Sequence, residues 1–194
     1  MTWLVIGLVL FLGIHSVSIF APRGRNALAL RMGEGPWKGL YTVVALAGFG
    51  LIVAGYSAAR QDPVVLWVPP VAMRHIAALL MLPVFVLLLA AYLPGRIQRA
   101  AKHPMLAATK FWALAHLLAN GTLGDVLLFG TFLAWAVADR ISLKRRASAG
   151  LVRPVQGASP GKANDLIAVV GGLVLYAVFA FWAHGFLFGV RPFG

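Results

Sequence analysis

Six long apolar stretches, separated by short basic or polar loops, constrain this sequence more than any other feature. They cover residues 3–20, 39–57, 73–93, 106–122, 125–140 and 166–189. A helix needs about 20 mostly apolar residues, within a range of about 17–25, to cross a bilayer. Because only helices and closed barrels satisfy every backbone polar group in lipid, we predict an all-α polytopic membrane bundle with about six transmembrane helices. The small residues of "ALAGFGLIVAG" and "AVVGGLVLYA" indicate close approach between some of these helices.

The composition and the distribution of charge also place the chain among membrane proteins. Hydrophobic residues make up 61% of the chain and charged residues 11%, against about 45–50% and about 25% in soluble domains. The net charge is +12, but the basic residues form short clusters between apolar stretches, which is typical of membrane topology and not of nucleic-acid binding. Cysteine is absent, which excludes disulfides, iron–sulfur clusters, thiolate-ligated iron and c-type haem attachment.

The basic residues predict the orientation of the bundle. Most of the 17 Lys and Arg residues lie in, or directly next to, the loops that follow the first, third and fifth spans. The exceptions are Arg60, Arg74 and Arg191. Because positively charged loops stay in the cytoplasm, we expect both termini to be periplasmic in a bacterial inner membrane. The predicted organisation is a five-helix membrane domain at 1–146, a cytoplasmic basic Pro/Gly/Ser-rich linker at 147–164 and the sixth span within 165–194.

Histidines within the spans are the main functional clue, because an ionisable group inside a membrane is costly. His75 and His103 lie at interfaces, whereas His15, His116 and His184 lie within spans. At about 1.5 Å per residue, His15 lies about 5–6 Å to the cytoplasmic side of its span's midpoint, His116 close to its midpoint and His184 about 10 Å towards the outside. Two imidazoles that hold one iron from opposite sides have nitrogens about 4 Å apart. Depth therefore favours His15 with His116.

The helix face around His116 is the second clue. Thr109, Trp112, Ala113 and Asn120 share this face by i, i+3 and i+4 spacing. The small Ala113 beside the imidazole is expected to leave room for a planar ligand. The same pattern also suits a buried histidine that is hydrogen-bonded to a neighbouring helix, and spacing alone does not identify a haem.

The acidic residues lie near the ends of spans or in loops; they are Glu34, Asp62, Asp125, Asp139 and Asp165. We expect Asp125 to cap a helix start after "NGTLG", and Asp139 to pair with nearby cations. The lack of a mid-membrane carboxylate in the sequence argues against a carboxylate-based proton or sodium transporter.

Three segments carry a family resemblance. "FLGIHS", "KHPMLAATKFWALAHLLANG" and "ADR" resemble the NnrU family of bacterial membrane proteins over about residues 1–146. NnrU proteins are associated with nitrite and nitric oxide reduction in denitrifying bacteria. The family is also similar to plant zeta-carotene isomerase, which uses a b-type haem to isomerise a carotenoid double bond. The isomerase's proposed haem histidines lie in "HS" and "AH" motifs, which match His15 and His116.

The resemblance implies haem b between the first and fourth spans, with His15 and His116 as iron ligands and Trp112 and Asn120 beside it. It also implies a role in nitrite or nitric oxide metabolism, or in cis–trans isomerisation of a polyene. One position departs from the isomerase, which has a cysteine where this chain has Ala113. Ligand switching through that cysteine therefore cannot operate here.

Two alternatives remain open. The first is a membrane methyltransferase, because Lys102, His103 and Pro104 resemble a segment of the isoprenylcysteine methyltransferase group, although that group's later cofactor motif has no clear counterpart here. The second is a non-enzymatic assembly factor for a reductase complex. The expected surroundings are the lipid bilayer, with a hydrophobic polyene or a reductase complex as the partner.

Overall fold

The structure is a computed structural model, which describes residues 1–151 and 160–193. Its eight helices in chain order are α1 (Thr2–Phe20), α2 (Pro22–Met32), α3 (Glu34–Gln61), α4 (Ala72–Ala90), α5 (Arg96–Ala101), α6 (Pro104–Ala119), α7 (Leu123–Ser148) and α8 (Asn164–Phe188). In this part of the chain the only β-structure is one isolated bridge, between Val65 and Thr122. The all-α prediction is therefore confirmed for the described residues. Residues 152–159 of the predicted linker lie outside them.

Five of these helices are long and apolar enough to cross a membrane: α1, α3, α4, α7 and α8. The predicted fourth span, 106–122, corresponds to α6, which has 16 residues and is not among these five helices. Pro104 occupies its first turn, where a missing N–H costs nothing. At its other end Asn120 is already extended, and the Gly121 carbonyl accepts a hydrogen bond from the Trp67 N–H at 3.1 Å. The structure thus supports five candidate spans.

The outward faces of these helices fit a lipid environment. Large apolar side chains are exposed along all five candidate spans, among them Val9, Val43, Leu79, Val137 and Val174. Apolar surface of this extent marks contact with a membrane or with another protein. Together with the length of the helices, it supports a multi-pass membrane protein.

The described chain divides into two compact units. Unit 1 contains α1, α2, α3 and α7. In this unit α1 packs closely against α3, and a Cβ atom added at Gly48 would lie 2.7 Å from the Phe11 backbone nitrogen. One added at Gly7 would lie 2.5 Å from the Ile52 nitrogen. The close approach that the small residues predict is confirmed at these positions.

Unit 2 contains α4, α5, α6 and α8. Helix α8 packs on α4 at Gly172, where an added Cβ atom would lie 2.6 Å from the Val86 backbone. The Tyr176 hydroxyl donates to the Ala78 carbonyl at 3.2 Å, which fixes the same pair of helices. Asp165, in the first turn of α8, accepts the N–H groups of Arg96 and Ile97 at 2.9 and 3.0 Å. It thereby caps α5.

Two expectations for the acidic residues hold in unit 1. Thr122 is the N-cap of α7 and forms a reciprocal capping box with Asp125. The Asp125 carboxylate also accepts the Tyr56 hydroxyl at 2.6 Å, a contact between α7 and α3 that the sequence did not indicate. Asp139 pairs with Arg146 at 2.7 Å. Both carboxylates are thus explained by local structure.

Candidate functional site

The three histidines of the predicted spans share one hydrogen-bonding arrangement, in which ring nitrogen Nδ1 meets a backbone carbonyl. The pairs are His15 with Phe11 at 2.6 Å, His116 with Trp112 at 2.9 Å and His184 with Val190 at 2.6 Å. Because a carbonyl oxygen only accepts, Nδ1 carries the proton and the lone pair of the neutral ring lies on Nε2. Metal-bound histidines commonly donate their other ring N–H in this way.

His15 lies among aromatic rings in unit 1. Its ring centroid is 4.2 Å from that of Phe11, 5.1 Å from Tyr41 and 5.9 Å from Trp135. The Trp135 indole Nε1 is buried and has no hydrogen-bond partner in the part of the chain that the structure describes. A buried N–H of this kind is unusual, and it would suit an acceptor group on a bound ligand.

His116 lies in unit 2, and the structure places two of the predicted site residues against it. The Trp112 ring is 5.5 Å from the His116 ring, and its carbonyl accepts the Nδ1 proton. Asn120 donates its side-chain amide to the His116 carbonyl at 2.9 Å, so it caps the end of α6. Ala113 is 0% exposed, and the room for a planar ligand beside it stays a prediction.

The structure also places His184 near His116. Depth along the spans set it apart from His116, yet within unit 2 the two ring centroids are 6.5 Å apart with an interplanar angle of 26°. Both side chains are half-buried. The structure therefore supplies a second imidazole next to His116 from α8.

A π-helical turn explains this placement. Residues Phe179–Ala183 form a π-turn, and the His184 N–H bonds to the Phe179 carbonyl five residues earlier. In a regular α-helix, Ala183 would lie one turn after Phe179 on the same face of the helix. Because the π-turn contains one additional residue, His184 occupies this position instead. The rings of Phe179 and His184 are 5.9 Å apart, and Phe179 is 5.4 Å from Phe85 of α4. Such turns often occur at functional sites.

A sharp turn after α8 fixes the His184 ring. Gly189 has a φ of 70°, the left-handed conformation that glycine adopts without steric cost. The chain then folds back, and the Val190 carbonyl reaches His184 Nδ1. No sequence periodicity indicates this contact, although "FGVRPFG" after an apolar span is a recognisable turn signal.

Within residues 1–151 and 160–193, no group of three or more His, Cys, Asp and Glu side chains gathers to hold a metal ion. The histidine arrangements described above are a single imidazole in unit 1 and a pair in unit 2. Two imidazoles supply the two axial ligands of a metal whose other ligands come from a macrocycle.

Comparison with known proteins gives one family result. A protein-family model described as "NnrU protein" matches residues 3–192. The match extends beyond the motifs in residues 1–146 and includes α8 with His184. No curated protein and no solved structure matches the chain.

Proposed function

This chain belongs to the NnrU family, and from that premise we propose that it is a multi-pass membrane protein that binds haem b through two of the three imidazoles in its predicted spans. One observation carries the proposal: each of the three histidines in the predicted spans donates its Nδ1 proton to a backbone carbonyl. This bond sets the tautomer and the direction of Nε2, as the outer hydrogen bond of a metal ligand does.

The residues present fit a haem better than a metal ion held by protein alone. A b-type haem requires no cysteine, and this chain has none. Aromatic rings lie beside His15 and His116, and such rings can pack against a porphyrin and keep water away. Bound haem supplies an iron that cycles between ferrous and ferric states, with a potential that the axial ligands adjust.

We propose that this haem serves nitrite or nitric oxide metabolism, with cis–trans isomerisation of a polyene as the alternative. Both follow from the family resemblance. A haem-binding assembly factor for a reductase complex belongs to the same proposal. The methyltransferase alternative rested on Lys102, His103 and Pro104, and local structure explains two of these: His103 is the N-cap of α6 and Pro104 its first residue.

The direct test is an absorption spectrum of the protein purified in mild detergent, before and after reduction with dithionite, with a pyridine haemochrome assay. We expect a b-type spectrum at about one haem per chain, which is the ratio that one pair of axial ligands holds. A preparation that stays colourless after haem supplementation would overturn the proposal. Binding of a methyl donor would then be tested.

We also propose six spans with both termini periplasmic, in a bacterial inner membrane. Helix α6 is about 24 Å long at about 1.5 Å per residue, against about 30 Å of hydrocarbon. It can therefore cross only where flanking residues reach the interface or the bilayer thins. The crossing of the short α6 is therefore the one to test.

Because the chain lacks cysteine, single cysteines report the topology directly. We expect a membrane-impermeant maleimide to label Gln61→Cys in intact spheroplasts, and Ser148→Cys only after permeabilisation. Gln61 ends α3 and Ser148 ends α7, and both are exposed. Labelling of both sites in intact spheroplasts would show that α6 does not cross. A protected Gln61→Cys would reverse the orientation.

A further inference from the structure

We infer that His184 is the second axial ligand that works with His116, so that α6 and α8 of unit 2 hold the haem between them. The inference rests on the proposed function and specifies its ligand set. It differs from the pair that the sequence favours, His15 with His116, which stays a prediction.

The distance between the rings is the first argument. In a pair of axial imidazoles, each metal–nitrogen bond is about 2 Å long, and each nitrogen lies roughly 1 Å from the centre of its ring. The two ring centroids are therefore roughly 6 Å apart. The centroids of His116 and His184 are 6.5 Å apart. The two ring planes are also nearly parallel, with an interplanar angle of 26°.

The support behind each ring is the second argument. His116 is held by the Trp112 carbonyl one helical turn before it. His184 is held by the Val190 carbonyl, which the turn at Gly189 returns to the ring. A precise ligand site requires that the ligands be fixed by such outer contacts. Both imidazoles of unit 2 have one.

The apolar surroundings are the third argument. The His184 ring contacts Phe188 at 5.0 Å and Phe179 at 5.9 Å, and the His116 ring contacts Trp112 at 5.5 Å. Both imidazoles are half-buried, so a macrocycle can reach them.

His15 has a different setting. Three aromatic rings from α1, α3 and α7 pack around it within 6 Å of its centroid. Its Nδ1 proton is bound to Phe11. An imidazole of this kind stabilises unit 1 by packing and by its hydrogen bond, and this role needs no iron.

The test compares His184→Ala with His15→Ala in the full-length protein, by absorption and electron paramagnetic resonance of the ferric state. We expect low-spin, six-coordinate haem in the wild type and in His15→Ala. In His184→Ala we expect less bound haem than in the wild type, and we expect the haem that remains to be high-spin and to return to low spin when free imidazole is added. This rescue distinguishes a lost ligand from a structural defect. His184→Gln, which keeps a polar side chain, is expected to give the same loss of low-spin haem if His184→Ala does not accumulate.

Three outcomes would overturn the inference while the proposed function stands. They are low-spin haem in both His184 variants, high-spin haem in His15→Ala, and high-spin haem in the wild type. A wild-type protein that binds no haem would overturn the proposed function as well.

Discussion

His116→Ala is expected to lose nearly all bound haem while the protein remains in the membrane. His116 is the imidazole common to the pair that the sequence favours and to the pair in unit 2, so the loss does not depend on which partner is correct. Replacing an outer-shell residue already weakens metal binding by about 10–100-fold. We expect removal of a ligand to cost more than that. The measurement is haem per chain by pyridine haemochrome.

His75→Ala is the matched control, because His75 lies in the first turn of α4 and is exposed. It is expected to keep the wild-type haem content. Protein level in the membrane fraction is compared by immunoblot, so that loss of haem is separated from loss of protein. Unchanged haem content in His116→Ala would remove the central residue of the proposal.

Helix positions and several local contacts were predictable from the sequence. The apolar stretches predict the five long helices, because a bilayer demands a minimum length. The pair His103–Pro104 marks the start of α6, and Asp125 contributes to the cap of α7. The small residues around Gly48 and Gly172 predict tight helix contacts, which the structure contains. Each of these features depends on a few neighbouring residues and on simple physical rules.

The second imidazole beside His116 could not be predicted in the same way. Its position depends on a π-turn at Phe179–Ala183, and apolar sequence with a 3.6-residue period gives no sign of an inserted residue. The depth argument assumed regular helices centred on their apolar stretches. The short α6 and the π-turn in α8 depart from that assumption.

The family of this chain could be predicted from its sequence, whereas its function could be predicted only in part. The motifs around His15 and His116 identify the NnrU family, and the match extends over residues 3–192. A family assignment does not specify chemistry. For this reason the proposals depend on the tautomers and distances of three histidines.

The contact between α1 and α3 gives the prediction with the largest effect on folding. Gly48→Leu is expected to prevent unit 1 from packing, because the Cβ atom alone would lie 2.7 Å from the Phe11 nitrogen. The obstacle is the backbone of α1, which cannot rotate away as a side chain can. Extra carbon atoms in a tight core cost about 1–3 kcal/mol and sometimes more, and four added at this place are expected to reach or exceed the upper value.

Gly50→Leu is the matched control, since it makes the same change two residues away in α3. A Cβ atom at Gly50 meets nothing within 4 Å, and replacing a helical glycine there is expected to be neutral or to stabilise by up to about 1 kcal/mol. The measurements are the yield of monodisperse protein in mild detergent and the midpoint of thermal unfolding. Because Phe11 also accepts the His15 proton, any folded Gly48→Leu protein should show a disturbed His15. Equal yields and midpoints for the two variants would mean that α1 and α3 do not meet at Gly48.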